Sequence, residues 1–280
     1  MSSDTIPETV RRLLASQPIE LPIFHPVALK LQKMLSDYDF TVDEVARVAN
    51  EDMSLASQML KIANSPMYVG RSKVATIKEA VIRLGAQQVI NLVIVASQAA
   101  VHTSVNSALD HYMKQLWLHS HGCALGARWL AHSCGMRGVA DETYLAALLH
   151  DVGKLYLLKS IERLVGSGVI SSMFDNDLII DIFDSMHVEQ GYRLMQHWNF
   201  PVMYSDVIRD HHADQWDSVN KMLAIIRFVN CACRRVGLGL KNDPDLVLIA
   251  THEAEVLDLS ENQICELEAM LQESKDVNLL

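Results

Sequence analysis

Leu149-His150-Asp151-Val152-Gly153-Lys154 sets a histidine beside an aspartate, directly after the apolar run Ala146-Ala147-Leu148-Leu149. An imidazole and a carboxylate in such a helical segment are costly to bury without partners, and a divalent cation satisfies both together. Further ligands are then required. His119 lies 31 residues before His150, His187 lies 37 after it, and His211 follows 24 later, with His212 adjacent. Each interval fits a helix out and a helix back, so side chains from separate helices of a bundle can converge on one point. Imidazole nitrogen mixed with carboxylate oxygen suits iron, manganese, nickel, zinc and cobalt, whereas an all-oxygen set would suit magnesium or calcium. Taken singly, each histidine reads as a surface or satisfied core residue. The order and spacing of the set point to metal.

The elements that position these residues are expected to be helices throughout, because almost no sustained polar–apolar alternation occurs. The chain has 280 residues, half of them hydrophobic, which is enough for a large packed core. Pro18, Pro22 and Pro26 delay the first long helix, where Val27, Leu31, Met34 and Leu35 recur at helical spacing. Thr41-Val42-Asp43-Glu44 and Thr76-Ile77-Lys78-Glu79 have the form of capping boxes, as does Ser260 with Gln263. A helix from about Ser54 must stop at Asn64-Ser65-Pro66, and Tyr68 to Val74 reads as loop. Ser107 to Gly135 reads as one long helix containing His111, His119, His121 and His132. Loop is expected at Val165 to Val169. Helices follow over Leu178 to Met186, His187 to Trp198 and Lys221 to Val236, then an element over Pro244 to His252 and a helix from Glu261 to Glu273. The tail from Ser274 to Leu280 is expected to fray.

Composition excludes several classes of partner. With 34 acidic against 24 basic residues the formal charge is −10, so no broad basic surface exists for generic nucleic-acid binding. The N-terminal segment carries Asp4, Glu8, Arg11 and Arg12 where a signal sequence needs an apolar core, and a cytoplasmic location is expected. Val89 to Val101 is broken by Asn91, Ser97 and Gln98, falls short of the roughly 20 residues that cross a bilayer, and reads as a buried helix. The five cysteines are an odd set without framework spacing, hence reduced thiols. Cys231-x-Cys233 is not read as a pair, since residues two apart on a helix face different sides.

The elements Leu21-Pro22, Asp52-Met53-Ser54-Leu55, Asn64-Ser65, Tyr68, Ile77-Lys78-Glu79-Ala80-Val81 and Leu84-Gly85 stand in the order seen in the HDOD family, the HD-related output domains of bacterial signalling proteins. The resemblance runs from about Leu21 to about Val236. It implies an all-α, HD-superfamily helical bundle with an N-terminal helical subdomain, divided as 1–106, a metal-binding core over 107–240 and a C-terminal helical extension over 241–280. Trp117-Leu118-His119-Ser120 is similar to the opening motif of HD domains, and His119, His150-Asp151, His187, His211-His212 follow the ligand order of two-metal HD phosphohydrolases. By that resemblance Asp151 bridges two ions. His119 and His150 then serve one ion, and His187, His211 and His212 the other. Lys154 corresponds to a lysine that contacts phosphate.

Departures from the pattern weaken hydrolysis. Asn230 stands where the last aspartate ligand is expected, which makes it a degenerate ligand position, and Gln115 stands where some relatives have glutamate. No Gly-Tyr-Pro loop follows a His-His-Glu run, since Tyr192 is followed by Arg193. The expected function is therefore a regulatory module holding one or two divalent ions, iron or manganese, with nickel and zinc as alternatives. Its expected partners are signalling proteins and a phosphorylated small molecule. The alternative is a metal-dependent phosphohydrolase using Asp151 and Lys154.

Overall fold

The computed structural model describes residues 8–16, 25–37, 40–65, 68, 73–169 and 176–275, and among them it is helical without strands. The all-α expectation is met. Pro18, Pro22, most of the loop after Tyr68 and the end of the tail lie outside the described residues. The helices are α1 (Glu8–Ala15), α2 (Pro26–Asp37), α3 (Val42–Ala49), α4 (Met53–Ala63), α5 (Ile77–Leu84), α6 (Ala86–Val101) and α7 (Ser107–Ser133). They continue as α8 (Ala140–Leu149), α9 (Val152–Gly166), α10 (Asn176–His197), α11 (Val202–Asp210), α12 (Lys221–Arg235), α13 (His252–Leu257) and α14 (Glu261–Ser274). Contacts divide them into two compact units. One holds α2 to α6 with Trp198–Phe200, and the other holds α1 and α7 to α14.

In the smaller unit α6 is the hub. Every residue from Gln88 to Gln98 is buried, as expected of a helix that is apolar on all sides, and α2, α3, α4 and α5 pack around it. Thr41 forms the full capping box at α3: its hydroxyl accepts from the Glu44 amide, and Glu44 accepts from the Thr41 amide at 2.7 Å. The box expected at Thr76 is only half formed. Thr76 accepts from the Glu79 amide, but Glu79 Oε2 accepts from the Ala75 amide at 2.7 Å, one residue too early to reciprocate. Asn64 closes α4 and clamps Val74 by bonds to both its amide and its carbonyl, each 2.9 Å.

In the larger unit α7 lies against α8, α9, α12 and α14, and α10 lies against α9 and α11. Three expectations are corrected here. Leu178–Met186 and His187–Trp198 are not two helices, because nothing between Met186 and Val188 breaks the backbone and α10 runs through His187. His150 and Asp151 do not sit inside one helix. His150 is the C-cap of α8, and Asp151, at φ −104 and ψ 15, turns the chain into α9. Pro244 to His252 is not a single element, since only Leu248–Ala250 forms a short 3-10 turn before α13 begins at His252. Three helices are absent from the sequence expectations: the N-terminal α1, which packs on α9, α11, whose C-cap is His211, and α13.

What brings Asp151 to His187 is contact between two helix backbones. A Cβ placed on Gly153 would stand 1.9 Å from the His187 carbonyl oxygen and 2.8 Å from the Gly191 amide nitrogen. No side chain fits, so only glycine at 153 allows α9 to seat on α10 at this point. Gly191 is less demanding, since its added Cβ would meet the Ile208 side chain at 2.9 Å. Gly153→Ala is therefore expected to destabilise the protein by about 3 kcal/mol or more, and Gly191→Ala by less. Urea unfolding checks the order, and equal midpoints for Gly153→Ala and the parent would contradict the packing described.

Candidate metal centre

Four separate segments deliver the polar side chains of the larger unit's core. His119 comes from mid-α7, His150 and Asp151 from the α8–α9 junction, His187 from mid-α10, and His211 from the C-cap of α11. His212 follows at the rim and is exposed, while the other five are buried. Arg227 on α12 holds the His211-His212 turn by donating to the carbonyls of Asp210 and Ala213, each at 3.0 Å, while its Nε pairs with Glu253 at 2.7 Å.

The Asp151 carboxylate divides its two oxygens between two groups of imidazoles. Oδ2 lies 3.5 Å from His119 Nε2, 3.3 Å from His150 Nε2 and 2.6 Å from Lys154 Nζ. Oδ1 lies 3.5 Å from the Nε2 atoms of both His187 and His211. Ligand atoms of Asp151, His187, His211 and His212 all fall within 4.8 Å of one another. All six residues read from the sequence as ligands thus meet at one place. Asn230, on α12, lines the same cleft with His119, Asp151, Lys154 and His212.

Backbone carbonyls fix the protonation of the rings. His119 Nδ1 faces Leu238 O at 3.0 Å, His150 Nδ1 faces Ala147 O at 2.6 Å, His187 Nδ1 faces Phe183 O at 2.5 Å, and His211 Nδ1 faces Ile208 O at 2.8 Å. A carbonyl can only accept, so each Nδ1 carries a proton, and in the neutral ring that ligation requires each Nε2 presents a lone pair to the interior. The contacts of Nε2 with Asp151 are then lone pair against lone pair rather than hydrogen bonds. His187 Nε2 and His211 Nε2 face each other in the same way at 3.3 Å. Two buried atoms, His150 Nε2 and Asp151 Oδ1, have no hydrogen-bond partner at all. Buried acceptors without donors are expensive, and a cation among them relieves every one, with the carbonyls acting as the outer shell that orients ligating histidines. The donor set fits a divalent transition ion.

Burial alone would push the Asp151 carboxyl up, but the Lys154 ammonium, 2.6 Å from Oδ2, helps to reverse this and hold it well below the usual carboxylate range. Burial lowers His187 to about 3 and His211 to about 4. The rings are therefore neutral near neutrality, as ligation requires.

Cys123 is a free, buried thiol, in keeping with the reduced cysteines expected from the sequence. It sits one turn after His119 on the same face of α7, and its Sγ, the His119 ring and His150 form a second close group. The spacing of four was the available signal. Burial pushes the Cys123 thiol well up.

With the geometry in place, comparison with known proteins identifies the family. The HDOD domain model matches residues 21–214, and the chain belongs to that family. A curated uncharacterized protein of Treponema pallidum (strain Nichols) is 24% identical over 229 residues, which is 79% of this chain and 44% of that protein. The chain thus spans less than half the length of the curated relative it matches. Among solved structures, an HDOD domain protein of unknown function from Geobacter sulfurreducens superposes with a TM-score of 0.72 at 24% identity, covering 98% of this chain and 97% of that one. A Shewanella amazonensis SB2B protein named "Putative metal-dependent phosphohydrolase" superposes with a TM-score of 0.71 at 18% identity, covering 96% and 97%. These likenesses establish a shared fold. Among the described residues no helix is long and apolar enough to cross a membrane.

A pH dependence follows from the burial of these rings. His121, stacked on Trp117 and pushed by burial to about 4, behaves like His187 and His211. The unfolded chain takes up these protons near the ordinary histidine value of about 6.5, whereas the folded chain does not. Stability of the metal-free protein is therefore full above about pH 6.5 and falls as the pH drops towards about 4, each ring contributing a slope of up to about 1.4 kcal/mol per pH unit. Urea midpoints measured at about pH 7 and about pH 5 should differ in that direction. Equal midpoints would mean that the rings are not buried in the neutral form.

Proposed function

We propose that this chain is a cytoplasmic signal-transduction module of the HDOD family, that it holds one or two divalent transition ions, iron or manganese, at this centre, and that it acts through contacts with other signalling proteins with little or no hydrolysis. The observation that carries the metal is the convergence of undonated Nε2 atoms and Asp151 oxygens. His119 and His150 with Asp151 Oδ2 would hold one ion, and His187, His211 and His212 with Oδ1 the other. In this reading residues 107–240 form the metal-binding core, with 1–106 as a helical subdomain and 241–280 as an extension.

Two features support weak turnover. Asn230 brings a neutral amide to the His119 half, where a carboxylate would add charge. Each cation of the cleft is also already engaged: Lys154 with Asp151 at 2.6 Å, Arg234 with Asp243 at 3.3 Å and Lys241 with Asp184 at 2.6 Å. A substrate phosphate would have to displace these carboxylates.

A phosphohydrolase remains the second reading, and the same three cations favour it, since all of them line the cleft above Asp151. When bound, the metal would supply Lewis acidity for attack on a phosphoester. Lys154 would then swing from Asp151 to the phosphate as a point charge, and His212 would face the substrate from the rim.

Protein purified without added metal or chelator should carry well over about 0.1 equivalent of transition metal, and His150→Ala and Asp151→Ala should each lose most of it. Less than that in the parent would overturn the metal reading. With iron or manganese restored, a phosphoesterase screen should give no turnover above these two variants; turnover abolished by Asp151→Ala would establish the second reading instead. Asn230→Asp should raise occupancy, and unchanged occupancy would place that position outside the ligand field.

A further inference from the structure

We propose that His119, Cys123 and His150 form a nitrogen–sulfur site that selects a thiophilic divalent ion, zinc, in the half of the centre where Asn230 supplies no carboxylate. The proposal rests on the reading above in taking His119 Nε2 and His150 Nε2 as ligands, and it departs from that reading in the third donor and the metal. The three donor atoms lie within 4.8 Å of one another, and Cys123 Sγ is 3.7 Å from His119 Nε2. A tetrahedral zinc ion with Zn–S of about 2.3 Å and Zn–N of about 2.0 Å spaces sulfur and nitrogen about 3.5 Å apart. The separation therefore fits two ligands of one ion.

His150 Nε2 gives independent support, since it is completely buried, has no hydrogen-bond partner, and points into this group. Cys123 is equally buried and has 3.4 Å between its Sγ and that of Cys233, far beyond a disulfide bond, so both thiols are free. Cys123 donates to Cys233 in this pair. On metal binding the Cys123 proton leaves to solvent and the bond reverses, with Cys233 S–H donating to the new thiolate. Such an outer contact orients and tunes a ligand. Asp151 Oδ2, 3.5 Å and 3.3 Å from the same two nitrogens, adjoins the site as a charged oxygen. Thiolate favours zinc over manganese, whereas the sulfur-free group around Asp151 Oδ1 keeps no such preference. The two halves of the centre would then hold different metals.

Cobalt(II) titration of the metal-free, reduced protein tests this, because only cobalt bound through sulfur shows intense near-ultraviolet sulfur-to-cobalt charge transfer. The expected result is that band in the parent, its retention in Cys233→Ser, and its loss in Cys123→Ser while cobalt still binds through the remaining histidines. Cobalt bound by the parent without the band would overturn the cysteine ligand alone. No cobalt bound at all would overturn both this inference and the metal reading beneath it. The parent spectrum decides without any variant, so a poorly folded Cys123→Ser does not blunt the test.

Discussion

A fully buried carboxylate faced by four imidazole lone pairs is the constraint on which the larger unit is built. Asp151 cannot be neutralised by those rings, since their protons are committed to backbone carbonyls. Lys154 supplies one positive charge to Oδ2 and leaves Oδ1 without a partner. Breaking a buried ionic arrangement by removing one side typically costs about 3–5 kcal/mol. An arrangement that leaves so many acceptors pointing inward is intelligible as a cation site and hard to explain as a structural polar core.

The surrounding packing serves that arrangement. Gly153 permits the α9 backbone to touch α10, which sets Asp151 against His187. Arg227 fixes the turn carrying His211 and His212 through two carbonyls, and Leu238 O, just beyond α12, sets the His119 ring. Helix ends do the rest of the positioning, for His150 and Asp151 occupy the caps between α8 and α9, and His211 caps α11. Ligands at helix termini are held by short-range backbone geometry. Their convergence therefore depends on few side chains outside the centre.

Much of this was legible in the sequence, and what was not has physical causes. The His150-Asp151 pair and the spacing of His119, His187 and His211 pointed to the residues that the fold brings together, and the order of the N-terminal elements identified the family. Thr41 and Ser260 announced their caps, because a hydroxyl followed three residues later by Glu or Gln is a local signal. Thr76 carried the same signal, yet Glu79 found the Ala75 amide instead, a choice of rotamer that sequence does not encode. The kink at Asp151 was hidden inside a continuous apolar run, and the continuity of α10 through His187 was obscured by its mixed polarity. The position of Cys123 was not legible because it depends on His119, four positions away, and on His150 from another helix. The need for glycine at 153 rests on a tertiary contact with the His187 carbonyl.

The two readings of function share one centre and differ in what reaches it. An intact set of imidazoles with Asp151 argues for metal. Asn230 and the internally paired lysines and arginine of the cleft argue for a site that signals occupancy more readily than it turns over substrate. The most direct measurement is an anomalous difference map from crystals of protein purified without chelator, collected at the absorption edge of the metal found by elemental analysis. The account predicts a peak about 2.0–2.2 Å from His187 Nε2, His211 Nε2 and Asp151 Oδ1. Water or Lys154 filling that position, with no anomalous peak, would contradict it.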